Sequence, residues 1–417
     1  MHLKTILNRV QKFKSFVYSS VRWVEGAREP TLEAVLRPRA RGRAICSGCG
    51  GRRAGYDTLP VRRFEFIPLW GIKVFLVYAP RRVHCRGCGV RVERLPWVAG
   101  KHQLTETYAW FLAGWAKRLS WTEVAAAFRT TFDHVFGSVE RAVTWGLEHR
   151  SLSGITALGV DEIAWQRGHK YLTLVYQIDA GCRRLLWLGR KRKVKTLLGF
   201  FRWLGKERTA QVQFICSDMW KPYVKVIAKK AGHALHILDR FHIMANLSKA
   251  IDQVRAEETR RLKREGGDPV LTKTRWLLLK RPENLTAKQA PKLAELLRHN
   301  LRAVRSYLLK EDFQRLWSYV SPYWAGRFLD HWCTTTLRSQ IEPMKKMARQ
   351  VRRHRALVLN WFRARGQFSS GIVEGFNNKA KLTTRKAYGF RTAHAAEIAL
   401  YHALGALPVP KVTHEFF

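Results

Sequence analysis

Three acidic residues stand out by what surrounds them. Asp161 ends the apolar run 157–160, Asp218 directly follows the run 214–217, and Glu374 sits in a helix-compatible stretch at 371–381. Carboxylates at the ends of neighbouring strands can aim at one point, and a set of hard oxygen donors favours Mg²⁺ or Mn²⁺. Two such ions about 3.5–4 Å apart can activate an attacking oxygen and stabilise a leaving one in an in-line phosphoryl displacement. Taken singly, each acid has a plainer reading. Asp218 can cap the helix that starts near Lys221-Pro222, and Glu374 can pair with basic neighbours. Glu162 points to the opposite side of the strand from Asp161, which suits a surface or supporting contact.

Four cysteines form a second constellation. Cys46-Ser-Gly-Cys49-Gly and Cys85-Arg-Gly-Cys88-Gly are matching knuckles, each turning on glycine so that both thiolates can face one ion. Four thiolates suit a closed tetrahedral Zn²⁺ site with no open position for catalysis, so this zinc is expected to be structural. His84 is adjacent but unneeded, and Cys182, Cys216 and Cys333 stand alone as packing residues. Paired Cys-x-x-Cys motifs of this kind point to a reducing cytoplasm more than to disulfides.

The charge explains how acidic residues could act on a polyanion. Lys and Arg number 76 against 31 Asp and Glu, a net charge of +45, with dense stretches at 183–195 and 345–365. Self-repulsion of that size destabilises a compact state unless a polyanion shares the surface. Positive charge dispersed along the chain suits a nucleic-acid track on which each neutralised phosphate releases counterions. No run of about 18 apolar residues is present, so no membrane span is expected. Aromatics lie among the bases, such as Trp165 near Arg167, His169 and Lys170; core packing is the expectation for most of the 16 tryptophans.

The elements that must position these residues fall into an order. A basic N-terminal segment (1–30) leads into the cysteine-bearing region (31–100), read as a zinc ribbon with short β-like runs at 64–67 and 73–78. At 101–150 the apolar spacing turns helical: Trp121, Val124, Ala125 and Phe128, then Val135, Val139, Ala142 and Val143. Two helices so spaced suit a helix-turn-helix, with Arg141 on the second reaching DNA. Thr131 and Asp133 are candidate caps. Three strands at 157–165, 171–178 and 184–188 follow, then a helix, a strand at 212–216, a helix near 222–230 and a strand at 234–238. That is the order of an RNase H-like core, an α/β fold, whose first part spans 151–244. An all-helical insertion occupies 245–365, and the core resumes at 366–417 with the helix that carries Glu374. Seven residues on, Lys381 shares the helix face of Glu374, as does Asn378, so both could hold DNA; a solvated lysine is the alternative.

The strings Gly159-Val-Asp161-Glu-Ile-Ala-Trp165, Ser217-Asp218-Met-Trp-Lys-Pro-Tyr223, Asp239-Arg-Phe-His242 and Val373-Glu374-Gly-Phe-Asn-Asn-Lys-Ala-Lys381 together carry a resemblance. The chain resembles bacterial insertion-sequence transposases of the ISL3 family over nearly its whole length. The resemblance implies a DDE catalytic domain on an RNase H-like fold and the triad Asp161, Asp218 and Glu374 on Mg²⁺ or Mn²⁺. It implies terminal inverted repeats and target DNA as partners, a homo-oligomer of two or more on DNA, and a nucleoid-associated, cytoplasmic location. It also implies a signature at Asp239 and His242, just before the insertion. At a strand end these two could orient substrate or metal ligands, or brace the junction; bracing is the favoured reading. A non-catalytic zinc-ribbon and helix-turn-helix regulator with a relic core is the alternative function.

Overall fold

The computed structural model describes residues 3–40, 42–166, 168, 170–266, 270–366 and 371–410. Arg167 and His169 lie outside the described residues. The N-terminal unit opens with α1 (Leu3–Val10), β1 (Phe16–Trp23) and β2 (Thr31–Pro38). Short strands follow, β3 (Ala44–Ile45), β4 (Arg52–Arg53) and β5 (Gly55–Thr58), then β6 (Arg62–Leu69), β7 (Ile72–Tyr78), β8 (Arg81–Cys85) and β9 (Gly89–Val92). They make two layers with different jobs. A four-stranded sheet, ordered β1-β2-β7-β6, has the period-2 alternation of a half-buried surface: Phe64 and Phe66 on β6, and Val74, Leu76 and Tyr78 on β7, are buried. They close around Trp97, whose ring meets Phe16, Tyr78 and Phe64 at centroid distances of 4.9, 5.5 and 6.0 Å. The 1–30 stretch thus contributes a helix and a strand to this sheet. The smaller layer, β3-β4 and β5-β8-β9, carries the cysteines. Buried Glu93 ties the layers together, accepting from Tyr78 Oη at 2.6 Å and pairing with Arg81 at 2.7 Å.

Three helices come next: α2 (Glu106–Ala116), α3 (Trp121–Ala127) and α4 (Phe132–His149). Ser120 and Glu123 form a capping box at α3, and Thr131 caps α4 by accepting from His134 N. Asp133 sits in the first turn of α4, where a carboxylate complements the helix dipole.

The central sheet is built from β10 (Ala157–Gln166), β11 (Lys170–Asp179) and β12 (Cys182–Arg190). After α5 (Val194–Leu204) and α6 (Lys206–Gln211) come β13 (Phe214–Ser217), α7 (Lys221–Ala231) and β14 (Leu235–Leu238). The spatial order is β12-β11-β10-β13-β14, with the first three strands antiparallel and β10, β13 and β14 parallel. Side chains on β10 alternate between two cores. Ala157 and Ile163 face one with α2, α4 and the C-terminal helices, while Leu158 and Val160 face the other with α5 and α7.

Beyond β14 the chain is helical through α8 (Arg240–Arg264), α9 (Arg275–Leu279), α10 (Gln289–Leu296), α11 (Arg302–Gln314), α12 (Pro322–Arg338), α13 (Glu342–Arg353) and α14 (Arg355–Arg363). This bundle has its own core around Trp332, Phe313 and Met344. It is pinned internally by buried Glu258, which accepts from the backbone N–H groups of Arg302 and Ala303 at the start of α11, at 2.9 and 2.7 Å. It returns to the sheet through Asn360 on α14, which donates to the His236 carbonyl at 2.8 Å. The chain then runs through α15 (Gly371–Lys386) and α16 (Ala393–Leu404), which rejoin the first core.

Candidate active site

The parallel pairing of β10 with β13 decides where the two aspartates meet. The pairing runs to Gly159 opposite Cys216; beyond it, Asp161 continues along β10 and Asp218 directly follows the end of β13, and both line one cleft. Each is fixed locally: Asp161 Oδ1 accepts from Glu162 N at 2.8 Å, and Asp218 Oδ1 from Trp220 N at 2.9 Å. Burial pushes the Asp161 carboxyl above its ordinary range, opposed by nearby His242 and reinforced by Asp218 and Asp239. On the opposite face of β10, burial lifts Glu162 to about 7, with the Asp218 charge adding to the rise.

Two cations answer this crowding of carboxyls. Arg192, in the loop after β12, spans Glu162 at 2.8 Å and Asp218 at 3.0 Å while lying over the Trp220 ring at 4.4 Å. His242 is held by Asp239 at 2.8 Å, and that bond together with the surrounding aspartates raises its pKa to about 9. Asp239 also caps α8, its Oδ1 accepting from Phe241 N at 2.7 Å. Asp239 thus caps the first turn of α8 and holds His242 near Asp161 and Asp218.

Helix α15 docks along β10 in step with it. Gly159 leaves the space that Val373 fills: a Cβ there would meet Val373 Cγ2 at 2.4 Å. Four residues further along the helix, buried Asn377 accepts from Tyr176 Oη at 2.9 Å and donates through its amide to Asp161 Oδ2. Glu374 lies on the turn between these contacts, beside Asp161's strand and exposed. Asn378 and Lys381 are also exposed, and Lys381 lies beside Ile163 and Ala164 near the end of β10. Asp161 and Asp218 open into a cleft of about 950 Å³ whose far wall is the helical bundle: His242 and Lys249 from α8, and Lys346, Arg349 and Arg353 from α13. Glu374 does not line that cleft. Among the described residues, the only group of three or more possible ligands whose donor atoms all lie within 4.8 Å is the four cysteines.

In that cysteine group, Cys46 and Cys49 flank the β3–β4 turn, and Cys85 and Cys88 the β8–β9 turn. Gly50 and Gly89 each follow a knuckle with φ near +70°, a backbone that glycine adopts without steric cost. Arg53 Nε donates to Cys85 Sγ at 3.2 Å, which holds that thiol below its ordinary range. The set could hold a tetrahedral metal. Arg141, on α4, is half-buried, and its Nη1 is enclosed without a hydrogen-bond partner. It lines a cavity of about 530 Å³ that also receives Asp133, Glu140 and Glu148.

Residues 158–399, from within β10 to within α16, match the family model for ISL3 transposases. The chain belongs to the ISL3 family of transposases. This ISL3 transposase is 29% identical over 392 residues to the transposase of insertion element IS1001 from Bordetella parapertussis, covering 93% of this chain and 95% of that one. It is 30% identical over 398 residues to the transposase of IS1557 from Mycobacterium tuberculosis, covering 89% and 87%. Family membership implies a protein that binds DNA. Among the described residues, no helix of the ISL3 transposase is long and apolar enough to cross a membrane.

Two residues that contact the aspartates were not singled out from sequence. Arg192 was one base among many in the 183–195 stretch, and nothing local marks it as the one that bridges two acids. Asn377 had a usable signal, since it stands three residues after Glu374 and so near the same helix face. The neighbouring Asn378 shared that signal.

Proposed function

We propose that this transposase works by the DDE route. It binds the terminal inverted repeats of its element, cleaves a strand to free a 3′-hydroxyl, and joins that end to target DNA by in-line phosphoryl transfer. The observation that carries this reading is that Asp161 on β10 and Asp218, just past the end of its parallel neighbour β13, line one cleft. Three antiparallel strands flanked by two parallel ones, joined through helices, is also the arrangement expected of an RNase H-like core. Glu374 is the third acid of the reading, on a helix anchored to Asp161 through Asn377.

All three donors are carboxylates, which fits Mg²⁺ or Mn²⁺, and Asp161, Asp218 and Glu374 would hold the ions. Bound there, the metals supply Lewis-acid stabilisation of the attacking and leaving oxygens. The protein does the rest by positioning. Lys249, Lys346, Arg349 and Arg353 face the aspartates across the cleft and neutralise the phosphates that the carboxylates repel. His242, kept charged by Asp239, offsets the crowded negative charge, and Lys381 and Asn378 carry the contact along α15. The cysteine unit, closed on Zn²⁺, and the α3–α4 helix pair with Arg141 form the end-recognition region. Two ends must be joined, so the active form is a homo-oligomer on DNA, working at the nucleoid of a bacterial cytoplasm.

The test is a strand-cleavage and strand-transfer assay with Mg²⁺ on duplexes carrying the ends that flank the gene. The reading requires joined product with the native protein and none with Asp218→Asn that still binds the same duplex. Joined product from a folded Asp218→Asn would end it.

A further inference from the structure

Helix α15 finishes on a residue that its backbone does not favour. Tyr388 N donates to Arg385 O and Gly389 N to Thr384 O, both at 2.9 Å, a Schellman closure with Tyr388 in the left-handed position at φ +52°. Glycine is the usual occupant there, because a Cβ in that conformation is strained. A buried tyrosine could recover the cost through packing, but this one is 100% exposed. Two residues on, Phe390 is buried against Trp121, so the loop is anchored and the ring is held out on a fixed base.

Tyr388 lines a cavity of about 430 Å³ together with Ile163, Ala164, Lys381 and Arg385. Ile163 and Ala164 lie two and three residues beyond Asp161 on β10, about 7–10 Å along the strand. Glu374, Asn378, Lys381 and Arg385 are spaced i, i+4, i+7 and i+11, one helix face of α15 leading toward the turn that carries Tyr388. Apolar lining residues, an aromatic ring and two cations are the elements that hold an unstacked base by its face and its phosphate by charge.

We infer that Tyr388, Lys381 and Arg385 form a nucleobase pocket that receives one unpaired base of the DNA strand next to the scissile phosphate. This rests on the proposed DNA-cleaving reading of the carboxylate site. The experiment uses full-length protein and end duplexes carrying 2-aminopurine at successive positions around the mapped cleavage site, in Ca²⁺ to hold the complex before cleavage. Native protein is expected to change the fluorescence of one position by base stacking. Tyr388→Phe should retain that change, whereas Tyr388→Gly should abolish it and slow cleavage on the order of ten-fold, in keeping with the loss of one base–aromatic stack. Tyr388→Gly should also melt no lower than native protein, since it relieves the left-handed strain; that separates a lost contact from a lost fold. An abasic nucleotide at the responsive position should slow native protein as much as Tyr388→Gly and slow the variant no further. If native protein cleaves and Tyr388→Gly matches it in fluorescence and rate, the pocket is overturned while the cleavage reading stands. The pocket is equally overturned if Tyr388→Gly changes only the oligomeric state. Native protein that neither binds nor cuts the duplex overturns both.

Discussion

The cysteine cluster and the carboxylate cluster are both candidate metal sites, and they are assembled in opposite ways. Each cysteine pair comes from one tight turn, and the two turns, on two small neighbouring sheets, bring all four thiol sulfurs within 4.8 Å of one another. The donors converge because short-range backbone geometry leaves them nowhere else to go. The carboxylates come from one strand, the end of a second, and a helix more than 150 residues later; the two aspartates share a cleft, and Glu374 could join them only through helix docking. Thiols can lie together neutral, whereas carboxylates brought together must be protonated or be answered by cations. The raised Asp161 and Glu162, the Arg192 bridge and the charged His242 are the marks of that unresolved repulsion. A local site can be complete in the free protein. A distributed one is held partly open, and under the proposed function its polyanionic substrate and metals would complete it.

The contrast can be broken most forcefully by removing one acid. Asp161→Asn is expected to lower strand cleavage on the order of a thousand-fold or more, because a metal ligand contributes several kcal/mol at the transition state. End binding, measured by anisotropy, should persist. The cysteine unit should fail in the other sense. Cys85→Ser, or chelation with a strong zinc chelator, should melt the 31–100 region, seen as lost amide protection in hydrogen exchange, and weaken end binding about 100-fold. The central sheet should stay protected, since metal binding in such units is largely folding energy.

Helix docking offers a finer test. Gly159→Ala puts a methyl against Val373 and should cut cleavage on the order of 100-fold with little change in end binding. Val373→Ala should restore much of the loss in the double variant, the non-additivity expected of two residues in contact. Asn377→Ala, which frees Asp161 from its amide, should cost about 10- to 100-fold in cleavage, the range for groups that orient metal ligands. The smallest effect is expected at Arg192. Arg192→Lys keeps a charge but cannot fork between Glu162 and Asp218, so the metal concentration giving half-maximal cleavage should shift by a few-fold while the saturated rate stays close to native.

The cysteine knuckles were legible because their chemistry is sequential: two Cys-x-x-Cys turns with glycine at the positions that need positive φ. The strand and helix order of the central sheet was equally readable from apolar runs, as was the strand-end setting of Asp218; Asp161 instead lies in the middle of β10, which runs on past the apolar stretch to Gln166. The four-stranded sheet around Trp97 was not, because β2 pairs with β7 across the intervening Cys46–Cys49 turn, a long-range pairing that local patterning does not show. The docking of α15 could not be read either. It turns on Gly159, which in sequence is one glycine in an apolar run, and whose meaning appears only when Val373 occupies the space a side chain would take. Arg141 was chosen for its position on the second helix of a helix pair. Periodicity located the helix but could not reveal that Arg141 is half-buried, with its Nη1 enclosed.

The central claim is that Asp161, Asp218 and Glu374 together hold the ions that drive strand transfer. Anomalous diffraction from crystals of the full chain grown with Mn²⁺ and end DNA tests it directly. The account predicts anomalous density within about 2 Å of oxygens from both aspartates, with Glu374 turned in to share a metal and the DNA phosphate opposite. Manganese bound with Glu374 still in solvent, or no manganese between the aspartates at saturating metal and DNA, would contradict it.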